Sequence, residues 1–114
     1  MTAPKFNPDA PNEFGVNRLP GYMGIEITRV EGGEVAARID IKPHHLAPNE
    51  YLHAGTIVTL ADTAAGYACM ANLPEGANSF TTIELKSNHL GTVREGAIAA
   101  VAKGIHLGRT TQVW

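Results

Sequence analysis

The sequence predicts an α+β fold in which an antiparallel β-sheet wraps around one long central helix. Three observations lead to this prediction. Apolar and polar residues roughly alternate over residues 22–45, a proline-free stretch with helical spacing covers 54–71, and three strand-like runs follow it. Because strands stand before and after a single helix, this order favours an antiparallel sheet over alternating βαβ units.

The chain of 114 residues is long enough for one domain with a single core. Four of its seven prolines lie within residues 1–20, where no periodicity is visible. We therefore predict an irregular N-terminal arm over residues 1–20 and one domain over residues 21–114.

Two alternating runs predict a β-hairpin at the start of this domain. Ile25 and Ile27 lie in the first run, and Val35, Ala37 and Ile39 share one face of the second. The letters "EGGE" at 31–34 supply the glycines that a hairpin turn requires.

The central helix is predicted from Ala54 to about Ala71 and would be about 27 Å long. Proline and glycine in "NLPEGANS" end it. Most of its remaining faces are also small or apolar, so we expect a helix that is buried nearly all round. The apolar residues at helical spacing are Ile57, Leu60, Ala61, Ala64 and Ala68.

Three strands are predicted after the helix. The runs are "SFTTIELKSNHL" at 79–90, "AIAAVAKGIHL" at 97–107 and "TTQVW" at 110–114. They would complete a sheet that encloses the helix.

Composition excludes several classes of partner. The net charge of −2 gives no electrostatic footprint for nucleic acid. The N-terminus lacks the apolar core of a signal peptide, and the one long apolar run is broken by Asp62. The single cysteine, Cys69, rules out an intramolecular disulfide. We therefore expect a cytoplasmic protein without a membrane or nucleic-acid partner.

Asp62 is the one charged residue between positions 56 and 72. No lysine or arginine stands three or four residues away from it, so a local ion pair cannot explain it. It either pairs with a group from elsewhere in the fold, or it is a functional carboxylate. Gly66 weakens the helix by about 1 kcal/mol relative to alanine, so we expect a close approach there.

The tripeptide "HAG" at 53–55 opens the helix, where the first backbone N–H groups lack intrahelical partners. Such amides can hold a developing oxyanion, which together with a carboxylate would suit acyl hydrolysis. Ala54 and Asp62 are eight residues apart, about 12 Å along one helix, so they cannot both reach one carbonyl group. Two antiparallel helices across a two-fold axis would bring them together, which predicts a homodimer with shared sites.

The stretch "YLHAGTIVTLADTAAGYAC" resembles the helix of hotdog-fold acyl-CoA thioesterases, especially the phenylacetate-pathway and 4-hydroxybenzoyl-CoA types. The resemblance runs from about Tyr22 to Trp114 and continues through "TTIELKSNHL" and "GIHLGR". It implies the hotdog fold and hydrolysis of an acyl- or aroyl-CoA thioester to free acid and coenzyme A. It also implies a homodimer, with a dimer of dimers left open, and no cofactor or metal.

The resemblance also implies roles for individual residues. Asp62 matches the catalytic carboxylate, which acts as general base or nucleophile. Ala54 matches the first glycine, whose amide polarises the thioester carbonyl. Thr82 matches a hydroxyl that orients water or substrate. Gly108 and Arg109 match a step that holds a coenzyme A phosphate. The residues expected to bind substrate are Asn49, His53, Gly55, Gly108 and Arg109.

The chain departs from the family pattern in two places. Alanine replaces the first glycine, and the family usually continues beyond "TTQVW", so we expect an incomplete C-terminal strand and an exposed Trp114 indole. Both departures keep open the possibility of a non-catalytic acyl-CoA-binding module.

Other chemistry remains open on the residues alone. His53 could be a base, although a histidine before a helix is more often a cap. Cys69 has no basic neighbour and is interpreted as inert. A metal site is also conceivable, although no metal motif accompanies the candidate ligands. These are His44, His45, His89 and His106.

Overall fold

The computed structural model describes residues 9–114. Three helices and five strands follow one another, with a 3₁₀ turn at Pro43–His45. In chain order they are α1 (Asp9–Gly15), α2 (Leu19–Tyr22), β1 (Ile25–Glu31), β2 (Glu34–Asp40), α3 (Ala54–Ala71), β3 (Ala97–Lys103), β4 (His106–Leu107) and β5 (Gln112–Val113).

The main sheet is antiparallel and has the order β1-β2-β3. Ile39 of β2 lies opposite Ile25 of β1 and Ile98 of β3. The predicted hairpin is confirmed, with its turn at the two glycines 32 and 33. Strands β4 and β5 pair with each other in a separate small sheet, so the predicted run over 97–107 divides into two strands.

The core lies between the main sheet and α3, which confirms the predicted central helix. Alternate positions of β1 and β2 point inward because side chains alternate across a strand. Alanines on the facing stripe of α3 let the helix approach the sheet closely. The core residues that are at most 2 % exposed are Ile27, Val35, Ala37, Ile39, Leu60, Ala64 and Ala68.

Only one stripe of α3 is fully buried, so the prediction of a helix buried nearly all round is wrong for the single chain. The stripe follows a spacing of four residues, and its members are Thr56, Leu60, Ala64 and Ala68, with Ala71 below them. Most other helix positions are half-buried, and Ala54 and Ala61 are exposed. The helix is apolar on more faces than its own sheet covers.

The predicted strand over 79–90 is also absent from the described part of the chain. These residues have no regular secondary structure and are exposed, with Ile83 and Leu90 at 83 % and 96 %. A strand exists only when a neighbouring backbone takes up its N–H and C=O groups. Among residues 9–114 no strand pairs with this segment, so its strand-forming side chains have no sheet to join.

The N-terminal arm is not irregular where the structure describes it. Prolines are tolerated in the first turn of a helix, and α1 and α2 both contain one. The Asn12 side chain accepts a hydrogen bond from the Ile27 N–H at 2.8 Å and donates one to the Ile27 carbonyl at 3.1 Å. It thereby takes the place of a neighbouring strand at the β1 edge. Residues 1–8 lie outside the described part, and the boundary at 20/21 stays a prediction.

The C-terminal run forms only the two-residue strand β5. The Trp114 ring is half-buried against the core, and its indole N–H donates to Gln112 Oε1 at 2.7 Å. The expectation of an exposed indole is therefore wrong. Within residues 9–114 no helix is both long and apolar enough to cross a membrane.

Candidate active site

The first turn of α3 is capped by a histidine side chain. His53 Nδ1 accepts a hydrogen bond from the Gly55 N–H at 2.7 Å. Because Nδ1 is the acceptor, the proton of the neutral ring resides on Nε2. The capping interpretation of His53 is confirmed, and the ring fixes the geometry of the residues that follow it.

Glycine is required at position 55 by this cap. A Cβ at Gly55 would lie 2.9 Å from His53 Nδ1, too close for the ring to remain in place. Ala54 lies between these two residues, and its N–H has no hydrogen-bond partner among the described residues. The family pattern has a glycine at this position. Because the φ angle of Ala54 is not positive, alanine adopts this backbone without strain. The amide half-site, as we name His53, Ala54 and Gly55, therefore presents one free N–H.

An open cleft of about 400 Å³ adjoins the amide half-site. Leu52, Ala54 and Ile57 line one side, and residues 89–92 line the other. The helix dipole is positive at this end, so the free N–H meets negative charge favourably. The cleft therefore leaves open space beside Ala54.

Asp62 lies near the middle of α3 and is half-buried. The Thr82 hydroxyl donates a hydrogen bond to Asp62 Oδ1 at 3.2 Å. No ion pair in the described part of the chain involves Asp62. The carboxylate is therefore oriented by a hydroxyl and keeps acceptor capacity for another group; we name Asp62 and Thr82 the carboxylate half-site.

The segment that contains Thr82 runs antiparallel to α3. Thr82 contacts Asp62, and two residues earlier the Phe80 ring lies against Gly66, one helical turn further on. A Cβ at Gly66 would lie 3.1 Å from Phe80 Cζ, so the expected close approach at this glycine is confirmed.

The two half-sites are separate within one chain. Ala54 and Asp62 are eight residues apart, about 12 Å along the axis of α3. Asp62 does not line the cleft beside Ala54. Asp62 is also rotated by about 200° around the helix from Leu60, so it faces away from the sheet.

The structure does not bring the remaining predicted residues to either half-site. Asn49 is exposed, and its Oδ1 accepts a hydrogen bond from the Tyr51 N–H at 3.1 Å. Gly108 closes the turn between β4 and β5, where a Cβ would lie 2.7 Å from the Thr111 carbonyl oxygen. Arg109 is exposed in the same turn. Their roles in substrate binding stay predictions.

The structure reveals a buried histidine whose role the sequence did not indicate. His45 is 1 % exposed, its Nδ1 accepts from the Lys42 N–H at 2.9 Å, and its Nε2 donates to the Met23 carbonyl at 2.7 Å. Burial lowers the pKa of His45 below its ordinary value of 6.5, and the positive charges of His44 and Lys42 act in the same direction against the Met23 hydrogen bond. No sequence signal separates His45 from the exposed His44 beside it.

The structure also bears on the cysteine and on the candidate metal ligands. Burial raises the pKa of the Cys69 thiol, which agrees with an inert cysteine. Residues 9–114 contain no group of three or more His, Cys, Asp or Glu side chains that could hold a metal ion.

Comparisons with known proteins identify the family of this chain. The family model of the Thioesterase superfamily matches residues 49–114. A 1,4-dihydroxy-2-naphthoyl-CoA hydrolase of Listeria monocytogenes is 35 % identical over 96 residues, which cover 84 % of this chain and 77 % of that protein. The Escherichia coli enzyme of the same name is 30 % identical over 113 residues, 96 % of this chain and 80 % of that protein.

Solved structures of thioesterases also resemble this chain. A thioesterase from Haemophilus influenzae superposes with a TM-score of 0.91 at 31 % identity, over 100 % of this chain and 80 % of that one. A mutant thioesterase from Pseudomonas aeruginosa gives 0.92 at 28 % identity, over 100 % and 83 %. The predicted hotdog fold is confirmed, and the chain belongs to the Thioesterase superfamily.

Proposed function

We propose that this chain hydrolyses acyl- or aroyl-CoA thioesters to a free carboxylic acid and coenzyme A. Its relatives support this reaction, because the names of several denote hydrolysis of a CoA thioester or a thioesterase. The observation that carries the proposal is the hydrogen bond from Thr82 to Asp62, which holds a carboxylate ready on an otherwise uncharged helix. The free Ala54 amide supplies the second group that the reaction needs.

The working unit in this proposal is a homodimer. The two half-sites are about 12 Å apart in one chain, so one carbonyl cannot meet both. Two copies of α3, antiparallel across a two-fold axis, place Ala54 of each copy beside Asp62 of the other. The unpaired segment over 79–90 and the half-buried flanks of α3 are the surfaces that such a partner would cover.

The reaction then follows from the two half-sites. The thioester carbonyl oxygen accepts a hydrogen bond from the Ala54 N–H, and this bond strengthens as negative charge develops on the oxygen. Asp62 of the other copy takes a proton from water while the water oxygen attacks the carbonyl carbon. The C–S bond breaks and the proton passes to the sulfur, so acid and coenzyme A leave. Direct attack by the Asp62 carboxylate, followed by hydrolysis of the anhydride, gives the same products.

We propose an aromatic acyl group as the preferred substrate. Two relatives are named for hydrolysis of a bicyclic aromatic CoA thioester. The Phe80 ring lies beside the carboxylate half-site, and aromatic rings pack favourably against one another. Benzoyl-CoA and naphthoyl-CoA should therefore give a higher kcat/KM than acetyl-CoA and hexanoyl-CoA.

Thiol release from this panel tests the activity, with Asp62→Asn as the diagnostic variant. The substitution keeps the size of the side chain and removes its charge, so kcat should fall by about 10²-fold or more while acyl-CoA binding persists. Glu75→Gln is the matched control, because it makes the same chemical change on an exposed side chain after the helix. Binding without thiol release in the unmodified chain would instead identify an acyl-CoA-binding module.

A mixing experiment tests the shared site. Ala54→Pro removes the free N–H, and the extended backbone of His53 (φ −69°, ψ 133°) already suits a following proline. Each of Ala54→Pro and Asp62→Asn should be inactive alone. Random re-association of the two should restore about a quarter of normal activity, because half of the dimers are mixed and each has one intact site. Recovery of none would refute the arrangement.

A further inference from the structure

The carbonyl oxygen of His45 accepts two hydrogen bonds from the start of α3. The His53 N–H donates to it at 3.0 Å, and the Thr56 hydroxyl donates to it at 2.9 Å. These donors come from the residue before Ala54 and from the residue two positions after it. The backbone around the free amide is therefore tied at both sides to one oxygen atom.

This oxygen is itself held in place. Both ring nitrogens of His45 are hydrogen-bonded to backbone groups, one in Lys42 and one in Met23. His45 is 1 % exposed and Thr56 is 4 % exposed, so water cannot replace these bonds if they are lost. The Thr56 N–H also donates to the His53 carbonyl at 2.9 Å, which closes the turn that contains Ala54.

We propose that His45 and Thr56 are positioning residues for the Ala54 amide. His45 anchors the turn through its carbonyl, and Thr56 sets the rotation of the first helical turn through its hydroxyl. This inference rests on the proposed function, in which that amide holds the oxyanion. Neither residue lines the cleft beside Ala54, so in this proposal both act on the rate through the direction of one N–H bond.

The expected effect lies in kcat. Removing an oxyanion donor costs about 10²–10³-fold in kcat, and a small misdirection of the same donor should cost less, about tenfold. The ground-state carbonyl binds more weakly to this N–H than the oxyanion does, so KM should change by less than about threefold.

Thr56→Val and Thr56→Ser form the matched pair for the test. Valine preserves the shape of the side chain and removes the hydroxyl, whereas serine keeps the hydroxyl and removes a methyl group. Thiol release should show kcat reduced about tenfold in Thr56→Val and within about twofold of normal in Thr56→Ser. A kcat that is equal in the two variants, or a loss confined to KM, would overturn the proposal.

The amide itself gives a readout that does not depend on activity. In ¹⁵N-labelled protein, the Ala54 amide resonance should shift in Thr56→Val and stay near its normal position in Thr56→Ser. An unchanged resonance in Thr56→Val overturns the positioning role even if the chain hydrolyses nothing. Absence of thiol release from the unmodified chain overturns the proposed function alone. Should Thr56→Val fail to fold, Thr56→Ala serves as the hydroxyl-free member of the pair.

Discussion

Replacing Gly66 by alanine should reveal how tightly the Phe80 ring lies on α3. Alanine in a helix interior is about 1 kcal/mol more favourable than glycine. Its Cβ would lie 3.1 Å from Phe80 Cζ, closer than the optimum of about 3.5–4.0 Å. Overpacking costs about 1–3 kcal/mol, and the 40 % exposure of Phe80 lets the ring yield, so we expect the lower end of that range. The gain and the cost then cancel to within about 0.5 kcal/mol.

The same substitution should behave differently without the ring. In a Phe80→Ala background, Gly66→Ala should raise the free energy of unfolding by about 1 kcal/mol, which gives a coupling of about 1 kcal/mol between the two positions. Urea unfolding of the four proteins at one fixed concentration measures this coupling, since the stability of the proposed dimer would depend on concentration. Ala61→Gly, at an exposed position, calibrates the glycine effect in this helix. An equal effect of Gly66→Ala in both backgrounds would refute the contact.

Two further predictions concern Thr82 and His45. Thr82→Val removes the hydroxyl that donates to Asp62, so kcat in the thiol-release assay should fall about tenfold. In Thr82→Ser, which keeps the hydroxyl, kcat should stay near normal. Equal losses of kcat in the two variants would contradict an orienting role. Because the pKa of His45 is lowered in the folded state, the folded state binds fewer protons than the unfolded state. The contribution of His45 to stability is therefore present above pH 6.5 and is lost as the pH falls below that value. Thermal unfolding between pH 8 and 5 should therefore show a larger decrease in Tm for the unmodified protein than for His45→Gln, and parallel decreases would contradict it.

The hairpin and the central helix could be predicted because their signals are local. Alternation over β1 and β2 indicated which face is buried, and Val35 and Ile39 are both at 0 % exposure. The helix was recognisable from a proline-free run between "HAG" and "NLPEG". Such patterns depend on residues that are close in sequence, so they can be interpreted without knowledge of the rest of the fold.

The segment over 79–90 could not be assigned from its own residues. Its composition favours a strand, but pairing depends on a second backbone that the pattern does not name. The same limit explains α3, whose mostly small or apolar faces predicted burial nearly all round. In a single chain the sheet covers one stripe only. Both predictions assumed neighbours that residues 9–114 do not supply.

The candidate site also contains residues that the sequence predicted and residues that it did not. Asp62 was detectable as a lone charge in an apolar helix, and Thr82 through resemblance to a family. His45 and Thr56 were not, because their importance depends on hydrogen bonds that join residues 42, 45, 53 and 56 through backbone groups. Backbone carbonyls carry no sequence signal, so the proposed positioning role becomes recognisable only in the folded structure.

In the proposed dimer, the spacing between the two half-sites lets both chains contribute to each site. Eight residues of α-helix correspond to about 2.2 turns, which leaves Ala54 and Asp62 about 80° apart around the axis and on faces that one partner helix can cover. A two-fold axis midway between them then generates both sites at once. One residue inserted between them would rotate Asp62 by about 100° relative to Ala54 and remove both sites together. The distance that separates these residues in one chain is therefore what would allow two chains of the proposed dimer to share them.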